Sequence, residues 1–166
     1  MKLRIMSFQA INAGIVLFSG CASYDGRGLQ PGVASEAEVR QRMGAPAAVW
    51  PEAGGASLLS YPRGPMGLNT YMVRIDRNGR LDAIEQVLDR THFDRVRRGM
   101  NKESVSRLIG PPGEIKVFQT PKLLYWNYRY RDAWETVSIF SVIFGADDTV
   151  DSTMSLREER GESRRE

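Results

Sequence analysis

Two stretches of this chain decide its fold: Ser35-Glu36-Ala37-Glu38-Val39-Arg40-Gln41-Arg42-Met43-Gly44-Ala45-Pro46 and Asn101-Lys102-Glu103-Ser104-Val105-Ser106-Arg107-Leu108-Ile109-Gly110-Pro111-Pro112. They share one plan at a constant offset of 66 residues. Ser35 and Asn101 are helix-starting residues, since their side chains accept hydrogen bonds from first-turn N–H groups that otherwise lack partners. Ser35 with Glu38 forms a capping box. Gly44 and Gly110 suit the left-handed backbone that ends a helix, and Pro46 and Pro112 prevent continuation. Val39 with Met43, and Val105 with Leu108 and Ile109, fall on one helical face. A helix of two to three turns is too short to stand alone, so each face predicts a sheet to receive it.

Three strands are expected after each helix. The first set covers Ser57–Arg63, Thr70–Asp76 and Arg80–Leu88; the second covers Leu123–Arg131, Glu135–Phe144 and Thr149–Arg157. Asp76-Arg77-Asn78-Gly79 is a hairpin turn sequence, and Gly145-Ala146-Asp147-Asp148 takes the matching place. Alternation puts Leu59 and Tyr61 on one side of the first set. Leu124, Trp126, Tyr128 and Tyr130 share a side in the second, beneath its helix. The expected fold class is α+β, two tandem α-β-β-β repeats with short helices on antiparallel sheet. The first repeat spans 32–89 and the second 90–157, with a charged disordered tail at 158–166.

The first twenty residues read differently. Lys2 and Arg4 precede Ile5-Met6, Ile11 and the apolar run Ile15-Val16-Leu17-Phe18; Ser19-Gly20 and Cys21 follow. A basic start, a short apolar stretch and small residues predict a signal peptide over 1–20. The stretch Phe18-Ser19-Gly20-Cys21 resembles the bacterial lipobox, which implies lipid on the Cys21 sulfur and membrane attachment through it. Cys21 is the only cysteine in the sequence, so no disulfide framework is available. Residues 21–31 are the expected tether, small, polar and glycine-rich. Ala22 stands where an aspartate often retains lipoproteins at the inner membrane, which points to the outer membrane, facing the periplasm. Removing residues 1–20 leaves 21 basic against 20 acidic residues, without the clustered basic face of a nucleic-acid binder.

A lipobox cysteine, a capped helix ending in Val-x-x-x-x-Gly-x-Pro and an aromatic-x-Tyr strand together resemble the BamE family, also called SmpA/OmlA. The residues that carry this are Gly32, Val39, Gly44, Pro46, Leu59 and Tyr61, then Gly99, Val105, Gly110, Pro112, Trp126 and Tyr128. The resemblance implies a fold like that of the β-lactamase inhibitor protein, with helices against a three-stranded antiparallel sheet. It further implies an outer-membrane lipoprotein that supports β-barrel assembly or envelope integrity. The family's best-known member has one copy of the unit, whereas this chain has two.

Catalysis finds little to work with. His92 is the only histidine; with Asp89, Asp94 and Arg95 it sits in a charged connector, Asp89–Arg98. One histidine without nearby cysteines or paired carboxylates does not close a metal site, and Asp147-Asp148 with Asp151 read as a turn rather than a calcium loop. The expectation is therefore a non-enzyme with no cofactor and no metal, whose partners are a membrane and other envelope proteins. Trp50, Trp134, Arg129 and Arg131 are the candidate contacts, because tryptophan and arginine dominate interaction hot spots. A periplasmic inhibitor or ligand-binding lipoprotein of the same fold is the alternative, and an envelope hydrolase a third reading.

Overall fold

The computed structural model describes residues 25–158. The lipobox, the apolar run before it and the residues beyond Glu158 lie outside the described residues. The chain is α+β, with two four-stranded antiparallel sheets and few, short helices.

In the N-terminal half, α1 (Glu36–Met43) is followed by β1 (Ala48–Pro51), β2 (Ser57–Pro62), β3 (Thr70–Ile75) and β4 (Leu81–Gln86). In the C-terminal half, α2 (Arg90–Phe93) and α3 (Lys102–Ile109) precede β5 (Glu114–Gln119), β6 (Lys122–Arg131), β7 (Val137–Phe144) and β8 (Val150–Arg157). Each sheet is a simple meander in chain order. The six strands expected from alternation are present, but each sheet has a fourth, β1 or β5, in the run just after a helix. These runs pair with only one neighbour; β1 alternates in burial but over only four residues, and β5 is exposed throughout, so neither gives a long alternating pattern.

Both helices begin as their sequences predict. Ser35 Oγ accepts from Glu38 N at 3.3 Å while Glu38 Oε2 accepts from Ser35 N at 2.8 Å. Asn101 Oδ1 accepts from Ser104 N at 2.8 Å, with serine rather than glutamate at the reciprocal position. The C-termini differ from the left-handed ending expected. Gly44 (φ 88°, ψ −164°) and Gly110 (φ 80°, ψ 178°) combine positive φ with extended ψ, a region open in practice to glycine alone.

The helices cover matching positions. Val39 and Met43 pack with Leu59, Tyr61, Val73, Ile75 and Leu81; Val105 and Ile109 pack with Trp126, Tyr128, Val142, Phe144 and Val150. Leu59 pairs with Val73 across the first sheet as Trp126 pairs with Val142 across the second. A register shift falls between Arg74 and Ile75 in one half and between Ile143 and Phe144 in the other. Even the segments before the helices dock alike. Gly32 N donates to Leu81 O and Gly99 N to Val150 O, each bridging the first residue of the last strand.

The halves are not docked symmetrically. The first sheet buries its second face too, through Leu58, Met72 and Val87 with Trp50 against them. The C-terminal end of α3 reaches this face. A Cβ placed on Gly110 would lie 2.6 Å from Thr70 Cγ2 and 3.0 Å from Ser60 Oγ. Nearby, Arg107 Nη2 donates to the Pro51 carbonyl at 2.7 Å and Arg129 Nη1 to the Met66 carbonyl at 2.6 Å. The connector contributes to the second core rather than merely spanning the halves, since Leu88, Phe93 and Val96 are buried in it and Phe93 stacks on Phe140 at 4.0 Å.

The ordered body extends further at both ends than expected. Gly26 is buried and Leu29 packs on the first core, so the segment 25–31 is seated rather than free. At the other end Glu158 N donates to Val137 O and its carboxylate grips Arg129.

Two equivalent tyrosines provide a test. The Tyr128 hydroxyl donates to the Gly110 carbonyl at 3.0 Å, whereas the Tyr61 hydroxyl is buried with no hydrogen-bond partner. Burial pushes both phenols above their ordinary pKa, Tyr128 strongly. Tyr128→Phe should therefore destabilise by about 1 kcal/mol in urea unfolding, while Tyr61→Phe should be neutral or slightly stabilising. The glycines divide similarly. Gly44→Ala incurs backbone strain with nothing within 4 Å of the new carbon, whereas Gly110→Ala also strikes the first sheet. The second variant should be less stable than the first by about 1–3 kcal/mol.

Candidate binding surface

The most exposed large apolar side chain among the described residues is Trp134, at 75%, and its loop holds it there. The β6–β7 turn is folded around Asp132, whose Oδ1 accepts from Trp134 N and Thr136 N, both at 2.9 Å. Its Oδ2 accepts from Ser138 Oγ at 3.2 Å. Burial alone would raise the Asp132 carboxyl, but the bonds from Thr136, Trp134 and Ser138, together with the nearby Arg157, hold it below the usual carboxylate range. A carboxylate used this way fixes the loop, and the indole is carried outward by it.

The indole forms one wall of a cleft. Arg157 lies over its ring, 5.5 Å from the centroid, close enough for a cation–π contact. Tyr130 and Leu156 supply the apolar lining, and Arg90 and Arg131 stand at the rim. The cleft is thus aromatic at its wall and mixed in charge at its margin, where Asp89 and Asp132 stand beside the arginines. Arg131 is tied to its own hairpin, donating to the Glu135 carbonyl at 3.0 Å with its Nε 3.4 Å from the Glu135 carboxylate.

Of the four candidate contacts, Arg131 and Trp134 come together here, and the other two go elsewhere. Trp50 lies on β1 opposite Leu58, half-buried against Leu58, Met72 and Val87. Arg129 is mostly buried, with Nε and Nη2 on the two Glu158 oxygens at 3.0 and 2.5 Å and Nη1 on the Met66 carbonyl. It clamps the β2–β3 loop and Glu158, just after β8, to the second sheet instead of presenting a free guanidinium. Arg90, Tyr130, Leu156 and Arg157 were not distinguishable in the sequence as cleft residues. They converge only through the β6–β7–β8 register and the placement of α2.

His92 is 5% exposed. Its Nδ1 lies 2.8 Å from Asp89 Oδ1 and its Nε2 3.1 Å from Glu85 Oε1. With a carboxylate on each ring nitrogen, the imidazole fastens β4 to the start of α2. The aspartates of the last turn are also occupied. Asp147 caps Thr149, Asp148 receives Lys102 Nζ at 2.7 Å and Asp151 receives Arg98 at 3.0 Å. Among the described residues, no group of three or more His, Cys, Asp or Glu side chains is placed to hold a metal ion. No described helix is long and apolar enough to cross a membrane.

Neither a protein-family model, nor a curated protein, nor a solved structure matches this chain.

The exposure of Trp134 is directly measurable. Trp126 is buried and Trp50 half-buried, so acrylamide should quench mainly Trp134. Trp134→Ala should remove the most accessible fluorescence while changing stability by no more than about 0.5 kcal/mol. A large loss of stability, or undiminished quenching, would show the indole to be packed instead.

Proposed function

We propose that this chain is a non-catalytic outer-membrane lipoprotein built from two tandem BamE-like units, anchored through lipid on Cys21 and facing the periplasm. It acts as an accessory or scaffold that binds other envelope proteins in β-barrel assembly or envelope integrity. The observation that carries this reading is the correspondence between the halves: the cap, the glycine with positive φ, the aromatic-x-Tyr or Leu-x-Tyr strand and the register shift recur at equivalent places. These are the positions on which the BamE resemblance rests. On this reading each unit is the α-β-β-β pattern of the β-lactamase inhibitor protein-like fold with one further edge strand.

Binding rather than chemistry is favoured by what the surface offers. The polar side chains that could imitate a catalytic cluster hold turns or helix ends together, while Trp134 projects into solvent beside three arginines. Such a cleft suits a protein segment presenting an apolar group to the indole and polar groups to its margin.

The anchor and the partner are tested together. Cys21→Ser should leave an uncleaved precursor or release the protein from membranes; an unchanged mass and membrane fraction would contradict the anchor. A tagged full chain, cross-linked in membranes and purified for mass spectrometry, should recover barrel-assembly or other envelope proteins, with recovery reduced by Trp134→Ala. Recovery of none, or recovery indifferent to Trp134, would contradict the scaffold reading.

A further inference from the structure

The four outer strand edges of the two sheets are treated unequally. β1 is four residues long and ends in Pro51, whose carbonyl is taken by Arg107. β4 is bridged at Leu81 by Gly32 and Ala34, and Gly26 packs beside its Ile84. β8 is bridged at Val150 by Gly99 and Met100, and beyond that point it is largely polar, with Asp151, Ser152, Thr153 and Ser155. These are the usual means of blunting a sheet edge: shortness, proline, coverage and polarity.

β5 has no proline and no covering segment over its six residues, and its polar side chains are Glu114, Lys116 and Gln119. Every residue in it is exposed, and one edge has no strand beside it. Ile115, Val117 and Phe118 are 56%, 57% and 49% exposed, so apolar surface lies on both faces of the same strand. Phe118 continues onto Tyr125 behind it, with ring centroids 5.0 Å apart. An unpaired backbone edge flanked by apolar side chains calls for another extended strand.

The charges of β5 indicate which strand. Glu114 and Lys116 are its only charged residues, opposite in sign, two positions apart and therefore on one face. Within one copy their charged groups lie 3.3 Å apart and Glu114 also accepts from Asn127 Nδ2 at 2.8 Å, so pairing with a second copy exchanges the intrachain ion pair for two across the seam. In an antiparallel pairing of β5 with itself about a two-fold axis at Ile115, Glu114 of each copy faces Lys116 of the other. Ile115 meets its own counterpart on the axis, and Val117 falls opposite Gly113, which has no side chain to obstruct it. The neighbouring register, centred on Lys116, sets two lysines against each other and is disfavoured. We infer that β5 is the seam of a homodimer, pairing with β5 of a second copy in the Ile115-centred register and joining the two C-terminal sheets into one. An isologous contact of this kind closes on itself, so it yields a dimer rather than a fibre.

The inference is independent of the lipid and of the envelope partner. It is tested by sedimentation of the full chain in mild detergent and by cross-linking. The wild-type chain should sediment as a dimer that dissociates on dilution. Glu114→Lys and Lys116→Glu should each weaken self-association on the order of tenfold, and the double reversal should restore it. Restoration cannot arise from damage to the fold, and circular dichroism checks each variant. In a Cys21→Ser background, Ile115→Cys should be captured as a dimer by a short bis-maleimide, and Ser152→Cys on the β8 edge should not. A monomer at every attainable concentration, a dimer insensitive to both single reversals, or capture through Ser152→Cys in place of Ile115→Cys would overturn the proposal.

Discussion

One contact between the two halves leaves no room for a side chain. Gly110 ends α3 in a conformation reserved for glycine, its carbonyl receives the Tyr128 hydroxyl from the second sheet, and the space a Cβ would take is filled by Thr70 and Ser60 of the first. The end of α3 is therefore held between two sheets. Val105 and Ile109 fill the core of the second sheet, and the tip of the same helix closes on the back of the first. Arg107 and Arg129, each donating to a backbone carbonyl of the first half, secure the contact on either side. Their individual contributions are modest, since both bonds are exposed, but each is a charge-assisted bond to a fixed carbonyl.

This asymmetry determines which surfaces remain available. The first half has helix α1 on one face of its sheet and the neighbouring half on the other, and its edges are short or bridged. The second half has its helices on one face, leaving β5, β8 and the β6–β7 turn at the periphery. The surfaces with binding potential, the Trp134 cleft and the β5 edge, both belong to it. Two halves with the same strand order thus leave different surfaces exposed. The difference originates in what packs against each sheet, since the helix caps and strand pairings are alike.

Much of this was legible in the sequence where the determining interactions are local. A cap is a contact over three residues, so Ser35-x-x-Glu38 and Asn101 announced their helices directly. The hairpin at Asp76–Gly79 was equally visible, because the Asp76 carboxylate bonds to the backbone of Asn78 and Arg80 within the turn itself. Face assignment from alternation placed Leu59, Tyr61, Trp126 and Tyr128 correctly beneath their helices. Of the edge strands, β4 and β8 were expected and β1 and β5 were not: β1 is only four residues long and β5 is exposed throughout, so neither offers a long alternating pattern. The surroundings of Trp50 and Arg129 were not legible for a related reason. They include residues far along the chain, Met72 and Val87 for Trp50, Met66 and Glu158 for Arg129, so little in their own neighbourhood reveals what lies against them.

If α3 belongs to both sheets, the halves cannot unfold separately. Hydrogen exchange measured amide by amide under native conditions tests this most directly. The predicted result is that the slowest amides of β2–β3 and of β6–β7 open with the same free energy and the same dependence on denaturant, as one cooperative unit. Exchange of the β2–β3 amides through a smaller opening that leaves β6–β7 protected would contradict the account, because it would mean that the contact at Gly110 joins two independent bodies.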